Sequence, residues 1–451
     1  YREALRPLFG DAVSELPHPD DPEDLTQVET AYWATLEQVR AMLADELPLC
    51  ADMAARMQTS RDRLEARGRT PRAGVPDVEK VFAAATPEAT PDALKLDIGA
   101  DVPLRKQLGA VLGYLNEQSG GALLVGAADL LDSTAVSGGS KAFPDGFFHY
   151  GSNPGSRTLS LGGICEDGLS CILSGVSGWG GHIGAGASYG AFISPLGHIP
   201  ARVHAISQQM RQECEPGPYR TFILQCGHAG MKTGEDGPTH ADPQALQLHL
   251  ENYVPGTAVT LTPWEPQEIW PSMAAALASR PAVIVPFVTR PGEPVLDREA
   301  LGLAPATAAI EGVYVLRKAA GTPDATVVVQ GSGVAYAFVQ GALPRLLADG
   351  VDLEVVYVTS PELFDRLDAA RRAEVFSDER AHNAMGITGF TMPTMYRWIR
   401  SDLGRAHTMH PFQKGHYLGS GAGEMVIHEA GMDGEGQYHG IRKYLDARTR
   451  A

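Results

Sequence analysis

The stretch TFILQCGHAGMKTGEDGPTH, Thr221 to His240, joins an apolar run to a polar turn. TFILQC, at its head, is short, apolar and of the composition that suits a strand buried on both faces. TGEDGPTH, at its tail, packs two acids, two glycines, a proline and a histidine into Thr233 to His240. Gly-Pro punctuation of that kind makes a stiff turn. The turn confines Glu235, Asp236 and His240, and its neighbours decide whether it is a plain surface turn or something more.

Working outward, AVTLT and AVIVPFV repeat the short buried-strand pattern, and GALLVGAADLL begins as a buried strand and ends at Asp129. From Glu166, the residues Leu169, Ile172, Leu173 and Val176 follow the i, i+3, i+4, i+7 spacing of a packed helix. ENYVPGTAVTLTPWEPQEIWPSMAAAL reads strand, turn, helix. This alternation predicts a mostly parallel sheet covered by helices on both sides over residues 96–300. A second unit, 305–451, contains ATVVVQGSG, a helix kinked at Pro344, and LEVVYVTS, which together make a βαβ unit. Residues 1–95 differ, being rich in Ala, Leu, Glu, Asp and Arg, with helical spacing in YWATLEQVRAML and Pro-rich breaks. The expected fold is α/β: two doubly wound domains with mostly parallel sheets, preceded by a helical arm.

Length and composition agree with that plan. A chain of 451 residues is too long for one core. A formal charge of −17 disfavours nucleic acid or an anionic membrane as partner, though not a small anionic substrate in a local cationic pocket. No apolar run reaches the roughly 18 residues that span a bilayer. Five cysteines without a CxxC pair suggest reduced, mostly buried thiols and a cytoplasmic protein.

Several side chains carry chemistry. Glu166 opens a helix whose buried face is otherwise apolar. It is either a solvent-facing acid favoured by the helix dipole, or a desolvated carboxylate ready to exchange a proton with a ligand nitrogen. GWGGHIGAGASYGAFISP, Gly178 to Pro195, loosely matches a phosphate loop, but no acid follows to hold a ribose, so close packing explains the glycines better. Tyr189 and Phe192, spaced i, i+3, are either an aromatic floor for a flat heterocycle or core rings. The four C-terminal histidines (His407, His410, His416, His428) lack the paired spacing of a metal site and read as loop residues.

In this order, the Glu166 helix, the Gly-rich loop, the aromatics, a strand and HAGMKTGEDGPTH resemble the pyrimidine-binding domain of transketolases. His228 and His240 keep that family's spacing of twelve residues. LRKQLG, AADLLDS and FVTRPGEP resemble three further family segments. The resemblance implies thiamine diphosphate as cofactor, with Glu166 bonded to the aminopyrimidine ring and driving removal of the thiazolium proton. It places Tyr189, Phe192 and Asp129 on the cofactor side and His240, His228 and Asp236 at the reacting carbonyl and hydroxyls. Arg105, Ser133, Arg290 and, again, His228 fall at positions that bind substrate phosphate.

Two departures shape the expectation. Cys165-Glu166-Asp167 is more similar to the β subunit of 2-oxo acid dehydrogenases, and no Gly-Asp-Gly of a diphosphate domain occurs anywhere. The Mg²⁺ ligands are therefore expected on a partner chain. The resemblance implies the C-terminal component of a split transketolase-like enzyme that moves a two-carbon ketol unit between a ketose and an aldose, with phosphorylated sugars expected. It would pair with a diphosphate-domain subunit and self-associate through the pyrimidine and C-terminal domains as α2β2. A 2-oxo acid dehydrogenase β subunit and a catalytically silent regulatory partner are the alternatives.

Overall fold

A computed structural model of the chain describes residues 6, 10–15, 18–68, 70, 74–232, 237, 239–240 and 243–450. The chain falls into two compact units, Tyr1–Val75 and Pro76–Ala451. In the first, α1 (Leu25–Asp45) and α2 (Leu47–Ala66) form the helical arm. Asp24 caps α1, its carboxylate accepting from the amides of Thr26 and Gln27. The expected arm reached residue 95, but the division comes earlier. α3 (Val78–Ala84) and the turn at Asp92–Leu94 belong to the second unit, because Val81, Ala85 and Leu94 are buried in its core.

The second unit contains two sheets. The first consists of β2 (Leu123–Ala127), β3 (Ile183–Ser188), β4 (Phe222–Cys226), β5 (Ala258–Leu261) and β6 (Val283–Pro286). Its order is β2-β3-β4-β6-β5 and every pairing is parallel. Successive side chains point to opposite faces. Ile223 therefore joins one core with Leu104, Leu108, Trp270 and Met273, while Phe222 and Leu224 join another with Leu169, Leu173, Ala201 and Ala205. The first core is built by α4 (Leu104–Gln118) and α7 (Ile269–Ala278), the second by α5 (Glu166–Trp179) and α6 (Arg202–Cys214). Helices thus cover both faces, as the apolar runs predict.

The second sheet has the order β11-β9-β10-β8. Here β9 (Ala325–Gln330), β10 (Leu353–Val358) and β11 (Ala384–Thr388) are parallel, and β8 (Val313–Arg317) is an antiparallel edge. The helix holding Pro344 is interrupted, as expected: Ser332–Ala337 and Leu343–Ala348 are joined by a π-turn at Phe338–Ala342. A short antiparallel ribbon, β1 (Asp101–Pro103) with β7 (Gly292–Pro294), leads into α4 and out of the first sheet.

Two local expectations need correction. Ile172 is exposed although Leu169 and Leu173 are buried, so the packed stripe of α5 is narrower than its apolar pattern. Cys165, Cys171 and Cys214 are exposed and only Cys226 is buried, against the expectation of mostly buried thiols. Among the described residues no helix is long and apolar enough to cross a membrane.

Candidate active site

The carboxyl ends of the first sheet's strands point to one edge, and four of the expected residues follow them. Asp129 lies just beyond β2, Tyr189 follows β3, His228 follows β4 and Arg290 comes after β6. Open parallel sheets bind ligands at this edge because side chains there are carried on rigid strands yet face outward.

Arg105 arrives from α4. Its own amide donates to Thr289 O at 3.3 Å, which seats the start of the helix beside the Arg290 segment. One turn along, a methyl at Gly109 would lie 2.3 Å from Ala135 O, so only glycine lets the 130–140 loop lie on the helix. That contact brings Ser133 to Arg105, whose Nη1 donates to the Ser133 carbonyl. Gln225 fixes the same loop from the sheet, its Nε2 donating to Thr134 O at 2.5 Å. Three residues further on, His228 is fully buried, and its Nε2 accepts from Arg105 Nη1 at 3.3 Å. A guanidinium can only donate, so a neutral His228 carries its proton on Nδ1.

Tyr189 completes the group. Its ring stacks on His228 with centroids 3.5 Å apart and planes within 8°. Its hydroxyl bonds to Ser133 Oγ. The stacking face of Tyr189 is therefore occupied by a histidine. Phe192 meets His240 edge to face at 5.3 Å, and Tyr189 meets it at 5.7 Å. His240 is held from the backbone, because Ala191 donates its amide to His240 O at 3.0 Å, and Nδ1 lies 2.8 Å from Thr239 Oγ1.

Arg105, Ser133, Tyr189, His228, Phe192 and His240 therefore form one connected cluster. Arg290 is half-buried beside it, reached through Thr289. Asp129 is exposed. Asp236 lies outside the described residues. Glu166 opens α5, half-buried, and makes no hydrogen bond to any described residue. The Gly-rich stretch packs closely, since a methyl at Gly184 would lie 2.2 Å from Leu173 O of α5, but it does so as the interior strand β3 and not as a loop. Two of the C-terminal histidines meet acids, His428 Nδ1 at 2.6 Å from Asp433 and His416 Nε2 at 3.4 Å from Glu429, and His407 and His428 lie in short helices and not in loops.

One charged group at this edge carries no signal in the sequence. Lys232 Nζ lies 2.8 Å from Glu293 Oε1 and 2.9 Å from Glu424 Oε1. The three residues are far apart in the chain, so no local spacing announces them.

Residues 312–432 match the transketolase-like TK C-terminal domain. Transketolase 1 of Pasteurella multocida is 31% identical over 221 residues, 47% of this chain and 29% of the relative. Transketolase 1 of Escherichia coli is 27% identical over 263 residues, 56% of this chain and 34% of the relative. The chain thus spans well under half the length of the curated relatives it matches. Among solved structures, a transketolase from Leishmania mexicana has a TM-score of 0.63 at 20% identity, covering 95% of this chain and 55% of that one. A split-gene transketolase, described as an inactive β4 tetramer, has a TM-score of 0.50 at 18% identity, covering 76% of this chain and 99% of that one. The structural likenesses speak for the fold, while residues 312–432 carry the transketolase-like C-terminal domain and the sequence relatives make about half of the chain similar to transketolases.

Proposed function

We propose that this chain is the C-terminal component of a two-component transketolase-like enzyme, completed by a separate chain that carries the diphosphate-binding domain. The observation that carries the reading is the Arg105–Ser133–Tyr189–His228 cluster at the carboxyl edge of the first sheet. The split-gene relative in fold, nearly all of which this chain covers, adds support.

The residues present suit one end of thiamine diphosphate. Glu166 offers a half-buried carboxyl with no hydrogen bond to a described residue, whose O–H can donate to an aminopyrimidine ring nitrogen. Phe192, half-buried against His240, offers an apolar ring. For the diphosphate end, no group of three His, Cys, Asp or Glu suited to a metal ion occurs among the described residues. The reading assigns the Mg²⁺ ligands to the partner chain that would hold the diphosphate. When bound, the cofactor supplies the carbanion-stabilising chemistry of carbon–carbon bond cleavage and formation.

The chain's own groups do the rest. Glu166 shares and exchanges a proton with the pyrimidine nitrogen. His240 and Asp236 orient and polarise the sugar's carbonyl and hydroxyls. Arg105, His228, Ser133 and Arg290 recognise the phosphate of a sugar phosphate, the arginines through paired N–H donors.

Assembly belongs to the same proposal. On the second unit, α5 turns Ile172 and the 86% exposed Trp179 to solvent, and α6 turns out Val203, Ile206 and Met210 at i, i+3, i+7. Apolar stripes of this kind suit a second copy of the chain. In the arm, Leu25, Val28, Tyr32, Leu36 and Leu43 lie along one exposed stripe of α1, which suits the diphosphate-domain subunit.

The test is to titrate the lone chain with thiamine diphosphate and Mg²⁺ in a calorimeter, then repeat with a Gly-Asp-Gly chain added. Binding and ketol transfer are expected only in the mixture. Sub-micromolar binding by the lone chain would sink the two-component reading.

A further inference from the structure

Lys232 follows His228 by four residues and precedes the TGEDGPTH sequence, and its surroundings are shaped for a long side chain. A methyl added at Gly333 would lie 2.7 Å from Lys232 Cβ, and one at Gly423 would lie 3.0 Å from Lys232 Cγ. Two glycines of the C-terminal domain thus flank the lysine stem as a slot. At its end Nζ reaches Glu293 and Glu424, at 2.8 and 2.9 Å. Glu293 is buried in β7, three residues after Arg290. Glu424 is 77% exposed at the start of the helix Gly423–Glu429. One ammonium therefore ties together the segment bearing His228, the segment bearing Arg290 and the C-terminal domain.

A plain structural account exists for half of this. A buried carboxylate needs a cation, and Lys232 supplies one to Glu293. It does not account for Glu424, which water would solvate, or for the glycine slot. It also leaves aside a second contact close by, where a methyl on Gly237, inside the turn, would lie 2.0 Å from Ser420 Oγ. The C-terminal domain touches the two ends of this region, although it contributes no residue to the cluster around His228.

We propose that Lys232 is a positioning residue for the candidate site, a statement that rests on the transketolase-like reading. It registers the His228 and Arg290 segments against the C-terminal domain, so that a domain remote from the cluster sets the cluster's geometry. Glu424 is the releasable arm of the clasp. An exposed carboxylate contributes little to stability, so its loss loosens the register without unfolding the chain.

Hydrogen exchange followed by mass spectrometry on the full chain tests this, with Lys232→Met, Gly333→Ala and Glu424→Gln beside the wild type. Gly333→Ala keeps the lysine and its charge but crowds the slot, so it separates position from charge. Peptides covering 227–240 and 288–296 should exchange about tenfold faster in Lys232→Met and Gly333→Ala, and about two- to threefold faster in Glu424→Gln, while strands 123–127 and 325–330 stay protected. In the assembled enzyme Lys232→Met should lower kcat about 10- to 100-fold with KM within about twofold, because misplaced groups slow the reaction without weakening binding. Unchanged local exchange with unchanged kcat overturns the proposal, and so does faster exchange spread evenly over the chain. The exchange arm needs no activity. Fast local exchange in a chain that shows no ketol transfer supports the clasp and removes the functional reading instead.

Discussion

The first sheet follows its strands with Asp129, Tyr189, His228 and Arg290, whereas the second follows its strands with Gly331, Thr359 and Gly389. Both sheets are mostly parallel and helix-covered, so the difference does not come from architecture. It comes from what lies over the carboxyl edge. At the second sheet that edge faces the first domain: Ser332 Oγ donates to Trp264 O at 2.7 Å, Thr262 donates its amide to Thr359 O at 2.7 Å, and Tyr357 donates to Thr262 O at 2.7 Å. A covered edge needs small residues and hydroxyls that satisfy a neighbouring backbone. The first sheet's carboxyl edge instead holds titratable and aromatic groups that bond to one another, and among the described residues the candidate site arises there.

The sharpest way to break this contrast is Glu166→Gln. It should lower kcat of the assembled enzyme about 10²- to 10⁴-fold, the usual range for general acid–base groups, and leave the urea midpoint in place. An unchanged rate would remove Glu166 from the chemistry. The opposite outcome is expected at the junction. Arg298 is buried between Glu265 at 3.1 Å and Glu268 at 2.9 Å, with Tyr314 donating to Glu268. Arg298→Met leaves two buried carboxylates without their cation and should cost about 3–5 kcal/mol in urea unfolding. Replacing all three charges together with apolar residues should cost much less, and an equal loss would mean that packing, not charge, holds the junction.

A smaller effect separates the phosphate reading from a purely structural arginine. Arg290→Ala should lower kcat/KM about 10- to 150-fold for ribose 5-phosphate, the equivalent of a charge-assisted bond of about 1.5–3 kcal/mol, and barely change it for ribose. Equal losses on both sugars would mean that Arg290 does not read phosphate.

The mildest expectation concerns Glu362, on the covered side. Burial holds its carboxyl above the ordinary value of 4.5, against opposing hydrogen bonds from Thr260 and Ser360. The folded chain then binds this proton more tightly than the unfolded chain does. Its contribution to stability is complete below about pH 4.5 and is lost as the pH rises through the folded value. Glu362→Gln does not titrate, so its melting temperature should gain on the wild type between pH 4.5 and 7. Parallel melting curves across that interval would disprove the shift.

The strands at TFILQC, AVTLT, AVIVPFV, ATVVVQ and LEVVYV were legible because they are apolar on both faces, whereas β3 was not, since IGAGAS is Gly and Ala with little apolar bulk, and β8 and β11 were not read either. The ribbon of Asp101–Pro103 with Gly292–Pro294 was not, since three-residue strands holding Asp, Glu and Pro carry no apolar signal. The arm's end was misplaced because Val81, Ala85 and Leu94 sit thinly among Ala, Pro and Asp, and their burial depends on distant helices. The candidate site residues came from order and spacing along the chain, which the resemblance makes readable, and the structure gathers Arg105, Ser133, Tyr189, Phe192, His228 and His240 into one cluster. The Lys232 clasp was invisible, since its partners come from β7 and from the C-terminal domain and obey no period.

The contact at Glu362 also bears on how the chain can be cut. β5 is the edge strand of the first sheet, and Glu362 accepts both the amide and the hydroxyl of Thr260, at 3.1 and 2.8 Å, while the Thr262 amide goes to Thr359. The C-terminal domain is thus a lid over a ladder of backbone donors. A truncation near residue 300 would uncover that ladder beside a flat, apolar strand, the template on which chains add to one another. The boundary between the sheets is a seam in topology and not a place where the protein can be divided into two soluble halves.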